Sequence, residues 1–489
     1  MLSMQRMRRG GAGSALGLGA VRFQACGRRP PAAGWMLLAA AIAGLACAGA
    51  ERSQVSPRVL IVGIDGASPR VVEHLLAEGR LPHLARIARE GASGKLRSIQ
   101  PMYSPRVWTT VATGKLPAKH GIAGFVRVDE SGERHIFQSG DRRSHALWNI
   151  ASDAGMSVEV VNWWTTHPPE VIDGVMVTDH LFPEVRDERQ AFMRATLDAA
   201  DAVPVHPASW LERVEGLRDA DTRLTEVPDP FTEPERFPGW VDAEFLSYRF
   251  RFDETIARIA LEIAEQEKPR IVMVLLPGVD KISHFIWGAL EPPDELPPGT
   301  RFTPEQQAYA SEALYRVYEQ ADALVGRLAA SFGPDDLVLA LSDHGFHVGG
   351  AMGALTGLHK DKRAIDGVIF ARGRGIAPGS RAEPVHVKDL TPSVLAWLGL
   401  PVGLDMDGRP AGFLDLPPPA TVASHDRGPI ERVGQAIPAV EERLVEELEA
   451  LGYLEEGGGE PAGAPAGGSQ PPPPGQTAPK HGAGPADAP

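Results

Sequence analysis

The sequence predicts an α/β fold: a mostly parallel central sheet flanked by helices and interrupted once by an inserted cap subdomain. Three observations lead there. Val59–Ile64, Ile271–Leu276 and Leu337–Leu341 are short, unbroken apolar runs rich in branched residues, the composition of strands buried on both faces. Helical patterns separate them, and strand alternating with helix implies a parallel sheet. The rhythm fails only over residues 183–240, which are rich in charge and proline and read as a cap or lid.

Taken in order, the first 50 residues read as an export segment. Arg8, Arg9, Arg22, Arg28 and Arg29 precede an apolar run at 35–46 that is too short to span a bilayer. The following Ala46-Cys47-Ala48-Gly49-Ala50 permits cleavage after Ala48 or Ala50, or lipidation of Cys47. A periplasmic, cell-surface or secreted location is expected, with membrane attachment through this segment or a lipidated Cys47 as the anchored alternative. The body occupies 56–182 and 241–416. It opens with the first strand and a helix over 69–91, and continues with helices over 252–267 and 304–332. A short strand at 368–370 and a helix over 388–398, ending at Gly399, complete it. Val440, Leu444, Leu448 and Leu451 recur on one face of a helix over 436–456, and the Gly/Pro/Ala-rich tail at 457–489 cannot bury a core.

With 489 residues and a formal net charge of −14, the chain lacks the broad basic surface of a nucleic-acid binder. Its two cysteines, Cys26 and Cys47, precede the body, so a metal there must be held by Asp, Glu and His.

Reactive groups in open α/β sheets gather beyond the carboxyl ends of strands. Asp65 directly follows the first strand, Asp280 lies four residues past Leu276, and Asp343 lies two past Leu341. One such acid alone is usually a turn residue or helix cap; three accompanied by histidines suggest a site. Asp280 and His284, four apart, would project from one helix face toward one ion. In Leu341-Ser-Asp-His-Gly-Phe346, Gly345 permits a sharp turn that lets Asp343 and His344 diverge, and His359 adds a third imidazole. Three carboxylates and three imidazoles suit two divalent ions, Zn²⁺ first and Mn²⁺ second.

A nucleophile is offered by the segment from Pro101 to Gly114, which holds Ser104, Thr109, Thr110 and Thr113. A hydroxyl needs a base or a metal to become reactive, and no Ser-His-Asp arrangement presents itself. Composition alone does not choose among the four.

The ordered motifs Ile61-Val-Gly-Ile-Asp-Gly-Ala67, Ser104-Pro-Arg-Val-Trp-Thr-Thr-Val-Ala-Thr-Gly114, Leu116-Pro-Ala-Lys-His-Gly-Ile122, Val279-Asp-Lys-Ile-Ser-His-Phe285 and Ser342-Asp-His-Gly-Phe346 resemble the type I phosphodiesterase/nucleotide pyrophosphatase branch of the alkaline phosphatase superfamily. Within it, the chain is most similar to a bacterial phosphohydrolase/phosphomutase group. The resemblance covers 59–409. It implies an alkaline phosphatase-like fold and hydrolysis of a small phosphate ester, with diesters favoured over monoesters. It implies one metal on Asp280, His284 and His359, and a second on Asp65, Asp343 and His344. Ser104 would be bound at the second metal and would attack phosphorus in line, giving a covalent phospho-serine.

One departure bears on the substrate. Where nucleotide pyrophosphatases place a phosphate-binding asparagine after the His120-Gly-Ile122 motif, this chain has Phe125, which points away from nucleotides. Arg106, Lys115, Lys281 and Asn162 are then the candidate donors to the phosphate oxygens, each more commonly a surface charge or packing residue when taken singly. His120 reads as structural in its turn. Asn162-Trp-Trp-Thr-Thr-His-Pro168 could line a pocket, although tryptophans after a strand are more often core. Competing readings are a sulfatase-like hydrolase, a phosphoglycerate mutase-like phosphotransferase and a surface-anchored, non-catalytic binding scaffold. The first needs a Cys/Ser-x-Pro-x-Arg motif that Ser104-Pro-Arg106 does not match. The second fits poorly with export.

Overall fold

The structure is a computed structural model and describes residues 56–181, 203–218, 220, 222–349, 355–382 and 384–434. The expected export segment, the helix over 436–456, the tail and residues 183–202 of the insertion lie outside the described residues.

β1 (Val59–Ile64) is the centre of the sheet because its residues are apolar on both sides. It pairs in parallel with β6 (Ile271–Leu276) on one side and β7 (Leu337–Leu341) on the other. The register sets Ile64 opposite Leu276 and Gly63 opposite Leu341, so the three predicted strands end at one edge. β3 (Val158–Val161) pairs with β6 and with β4 (Gly174–Val177), again in parallel. β8 (Asp366–Arg372) runs antiparallel between β7 and β2 (Ala92–Arg97), and the antiparallel β5 (Val205–His206) caps the far side on β4. The mixed ten-stranded sheet thus has a parallel centre and antiparallel additions outside it.

Alternate residues of β1 face two helix layers. Leu60, Val62 and Ile64 belong to one core with α1 (Pro69–Ala77), α2 (Pro82–Glu90), α6 (Ala243–Glu267) and α8 (Pro304–Ala329). Val59 and Ile61 belong to the other, with α3 (Ser104–Thr113), α4 (Leu147–Asp153) and α9 (Leu390–Leu398). Each fully buried aliphatic side chain contributes about 1.5–3 kcal/mol of transfer free energy to this sandwich. Gly63 lets α3 approach closely, since a Cβ there would lie 2.6 Å from the Trp108 ring.

Two helix expectations require correction. The single helix over 69–91 is two, α1 and α2, separated by Gly79 at φ +73° and by Leu81, whose conformation is driven out of the helical region by Pro82. The helix expected at 252–267 begins at Ala243, where the Asp242 carboxylate accepts a hydrogen bond from the Phe245 N–H. The described part of the insertion adds β5 to the sheet, sets α5 (Leu211–Arg218) against α6, and buries Phe231 and Phe237 in the first core. Among the described residues no helix is long and apolar enough to cross a membrane.

Candidate metal centre and nucleophile

Because β1, β6 and β7 end together, the residues that follow them meet. Asp65 continues β1, its N–H bonding to Leu276 O at 3.0 Å. Asp343 turns toward it: the Asp343 Oδ1 accepts from the Gly66 N–H at 3.2 Å, and Gly66 occupies φ +73°, a turn conformation natural to glycine. Asp280 and His284 project from α7 (Gly278–Ile286), whose first N–H, on Gly278, is held by both carboxylate oxygens of the buried Asp253 at 3.0 and 3.2 Å. Asp253 therefore fixes the start of the helix that carries Asp280. Glycine is required at 278, since a Cβ would lie 2.6 Å from that carboxylate.

All seven predicted site residues are buried and converge. His344 Nε2 lies 3.4 Å from Asp343 Oδ2, 3.5 Å from Asp65 Oδ1 and 4.0 Å from Asp280 Oδ1. Asp280 Oδ1 is also 3.6 Å from His284 Nε2 and 3.6 Å from His359 Nε2. Within this cluster, two three-residue groups have ligand atoms close enough to share an ion: Asp65, Asp343 and His344, and Asp280, His344 and His359. His284 reaches the second group through Asp280. His344 and His359 stack with ring centres 3.9 Å apart.

The donor set fits divalent metal ions. Asp343 Oδ2 and His344 Nε2 are buried without a hydrogen-bond partner in the protein, an arrangement costly unless something else satisfies them. The Nδ1 atoms of His284 and His344 lie 2.9 and 3.0 Å from the Gly357 and Gly345 carbonyls, which fixes the Nδ1–H tautomer and turns each Nε2 lone pair inward. Burial, reinforced by Asp280, pushes the Asp65 carboxyl up; burial and Asp65 push Asp343 far above the carboxylate range. Burial also holds His284 down to about 3, and burial with His344 and His284 depresses His359 strongly. Crowded acids and neutral imidazoles are the charge state that a cation stabilises.

Ser104 is the first residue of α3, and its Oγ lies 3.4 Å from Asp65 Oδ1. The rival hydroxyls turn back onto their own helix: Thr109 donates to Pro105 O at 2.7 Å, Thr110 to Arg106 O at 3.0 Å and Thr113 to Thr109 O at 2.8 Å. Ser104 is thus the hydroxyl at the carboxylates, and it sits where the unpaired amides of a helix N-terminus favour an anion.

All four candidate oxyanion donors make contacts within the fold, Lys281 with its Nζ 5.6 Å from the Trp164 ring centre. Arg106 bonds the Gln100 and Ala123 carbonyls, Lys115 is buried between Asp405 and Asp426, and Asn162 Nδ2 donates to Leu275 O. His120 ties its turn together through Thr110 and the Ile122 N–H, as expected. The tryptophan pair divides. Trp163 is core, packed edge-on to Trp108, whereas Trp164 donates from Nε1 to Asp65 Oδ2 at 3.1 Å. Phe125 packs edge-on against Tyr103 and Trp164, with centroids 6.0 and 5.7 Å away. Sequence reasoning missed Asp253 and the Asp65 contact of Trp164; an acid inside the preceding helix, α6, carries no local pattern that aims it at Gly278.

Residues 59–365 match the sequence profile of the type I phosphodiesterase/nucleotide pyrophosphatase family. The chain belongs to that family. This establishes the resemblance drawn from the motifs and makes the chain a member of a phosphoric ester hydrolase family. Among solved structures, it is similar to phosphonoacetate hydrolase from Sinorhizobium meliloti 1021 bound to phosphonoformate, at 19% identity and TM-score 0.36 over 60% of this chain and 58% of that one. It is also similar to the 2-O GAG sulfatase BT1596 at 14% identity and TM-score 0.46, over 72% and 73% of the two chains. A third is the phosphonate monoester hydrolase from Silicibacter pomeroyi, at 16% identity and TM-score 0.41, over 73% and 76%. The chain spans under two thirds of the phosphonoacetate hydrolase it matches. No curated protein matches it at a significant level.

Proposed function

We propose that the chain hydrolyses a small phosphate ester, a diester in preference to a monoester, with Ser104 as the nucleophile and two divalent metal ions as cofactors. The observation that carries this reading is the meeting of Ser104 Oγ with Asp65 Oδ1 at 3.4 Å, within a buried group of three carboxylates and three imidazoles. Asp280, His284 and His359 would hold one ion, and Asp65, Asp343 and His344 the other, zinc being favoured by the mixed N/O donors. Bound there, such ions supply Lewis-acid polarisation of the phosphoryl group and lower the pKa of a hydroxyl.

The chain's own part is positional. Asp65 is the nearest acceptor for the Ser104 hydroxyl, so the O–H is directed inward and an oxygen lone pair outward. The α3 N-terminus favours negative charge on the phosphoryl group as the Ser104 Oγ–P bond forms and the bond to the ester leaving group breaks. Water then cleaves the phospho-serine, returning the hydroxyl and releasing phosphate or its monoester. Burial of the ligands excludes competing solvent.

The test is a panel of aryl diester, aryl monoester and aryl sulfate assayed on the purified chain, with metal analysis. About two ions per chain and fastest turnover of the diester are expected. Ser104→Ala should lower turnover on the order of 10⁴-fold while keeping fold and metal. Undiminished turnover in that variant would dismiss Ser104. Full activity in metal-free protein would dismiss the metal centre, and preferred sulfate turnover would favour the sulfatase-like reading.

A further inference from the structure

Side chains of β3 alternate between the two cores. Val158 and Val160 enter the second and Val161 the first, so Glu159 points with Val161 toward the first, between Val175 on β4 and Val272 on β6. It is fully buried, and neither carboxylate oxygen has a hydrogen-bond partner in the protein. The same side chain lines a cavity of about 190 Å³ between the amino-terminal ends of β3 and β4 and the last turns of α6. We propose that this cavity binds a small organic cation, a primary alkylammonium, with Glu159 as the carboxylate at its floor. The site stands apart from the metal centre and does not depend on the phosphate-ester reading. Glu159 is level with Val272, four residues before the Leu276 end of β6, or about 13 Å back along the strand.

The lining selects the class of ligand. Val175, Ile263, Pro207 and Pro269 give apolar walls suited to a hydrocarbon stem. Asp173 and Glu267, both exposed, add carboxylates at the rim, and Trp210 Nε1 holds Glu267 Oε1 at 3.0 Å. Among the described residues the lining holds three carboxylates and no lysine or arginine. A carboxylate removed from water without donors is costly, and an ammonium supplies both the opposite charge and three N–H donors. A metal ion fits this cavity less well. It needs several ligand atoms at short range, and among the described residues no group of three metal-ligating side chains includes Glu159. At about 30 Å³ per water, the cavity takes on the order of six heavy atoms, the size of a short alkyl diamine. Such a molecule can set one ammonium on Glu159 and the other among the rim carboxylates, with its methylenes along the apolar walls.

The probe is 1,4-diaminobutane, measured by calorimetry on the purified full chain. Tetramethylammonium, which carries charge but no N–H donor, is the control for general attraction to an acidic protein. The parent should bind the diamine at least about tenfold more tightly than the control, and its melting temperature should rise with diamine concentration. Glu159→Gln keeps the side-chain shape and removes the charge. Its diamine affinity should fall about 10- to 100-fold, the range of a lost charge-assisted hydrogen bond. Glu267→Gln, at the solvent-exposed rim, should lose no more than about fivefold. A parent that does not bind the diamine would overturn the proposal and leave the cavity to water. So would a Glu159→Gln affinity within about twofold of the parent, tetramethylammonium bound as tightly as the diamine, or a greater loss in Glu267→Gln than in Glu159→Gln. The comparison of the two cations is made on the parent, so it decides the matter whether or not Glu159→Gln folds.

Discussion

Two buried groups of charged side chains in this molecule solve the same problem in opposite ways. Around Glu170, the chain supplies its own cation. Arg142 Nη2 meets both Glu170 oxygens at 2.6 and 2.7 Å, and Trp148 Nε1 and Asn149 Nδ2 complete the shell. Burial would raise the Glu170 pKa, but the Arg142 charge and the hydrogen bonds from Arg142, Asn149 and Trp148 outweigh it and hold the carboxyl below its ordinary value. Around Asp65, Asp280 and Asp343, carboxylates meet imidazoles, and Asp65 and Asp343 are pushed up instead. A folded chain that pairs one buried acid so fully and crowds three others together offers the latter as a candidate cation site. The contrast separates a carboxylate that holds the fold together from carboxylates that are candidate ligands of a metal ion.

The largest expected effect lies on the ligand side. His344 Nε2 is within 4.0 Å of an oxygen of each of the three aspartates. His344→Ala should strip the site of metal and lower diester turnover by about 10³-fold or more, with a modest change in melting. Metal analysis giving parent stoichiometry would break the contrast. Next, Arg142→Met leaves Glu170 buried and unpaired, and it should cost about 3–5 kcal/mol in denaturant unfolding while the folded fraction keeps its metal. A variant that lost metal without losing stability would mean that the two groups are one system.

The smallest effect tests a third kind of buried acid. Glu159, on β3, is fully buried with neither carboxylate oxygen hydrogen-bonded, and burial alone pushes its pKa well up. A pKa raised in the folded state contributes stability that is complete below the unfolded carboxylate value and is lost as pH rises through the folded one. The parent should therefore lose melting temperature on going from acid to alkaline pH more than Glu159→Gln does, with a difference on the order of 2 °C. Parallel profiles for the two proteins would show that the Glu159 pKa is not raised in the folded state.

The amount legible before folding differs along the site. Asp65, Asp280 and Asp343 could be read because each follows an apolar strand, and β-strands in a parallel sheet end together. The helix at Asp280 made His284 readable through its spacing. The break between α1 and α2 was not read, although Gly79 and Pro82 carry it; the apolar pattern on either side conceals a four-residue interruption. Trp163 and Trp164 are identical and adjacent, and only their opposite directions in the fold make one core and the other a partner of Asp65.

By itself, then, the sequence determined the parallel centre of the sheet, the edge at which the acids gather, the candidate metal ligands and the family, because strand composition and spacing are local properties. Tertiary structure decided what local pattern does not encode. It turned Thr109, Thr110 and Thr113 onto their own helix and set Ser104 against Asp65, it consumed Arg106, Lys115 and Asn162 in the fold, and it laid Lys281 over Trp164. Those choices depend on which distant backbone or side chain lies within about 3 Å, and only the packing of the two helix layers on the sheet brings such partners together.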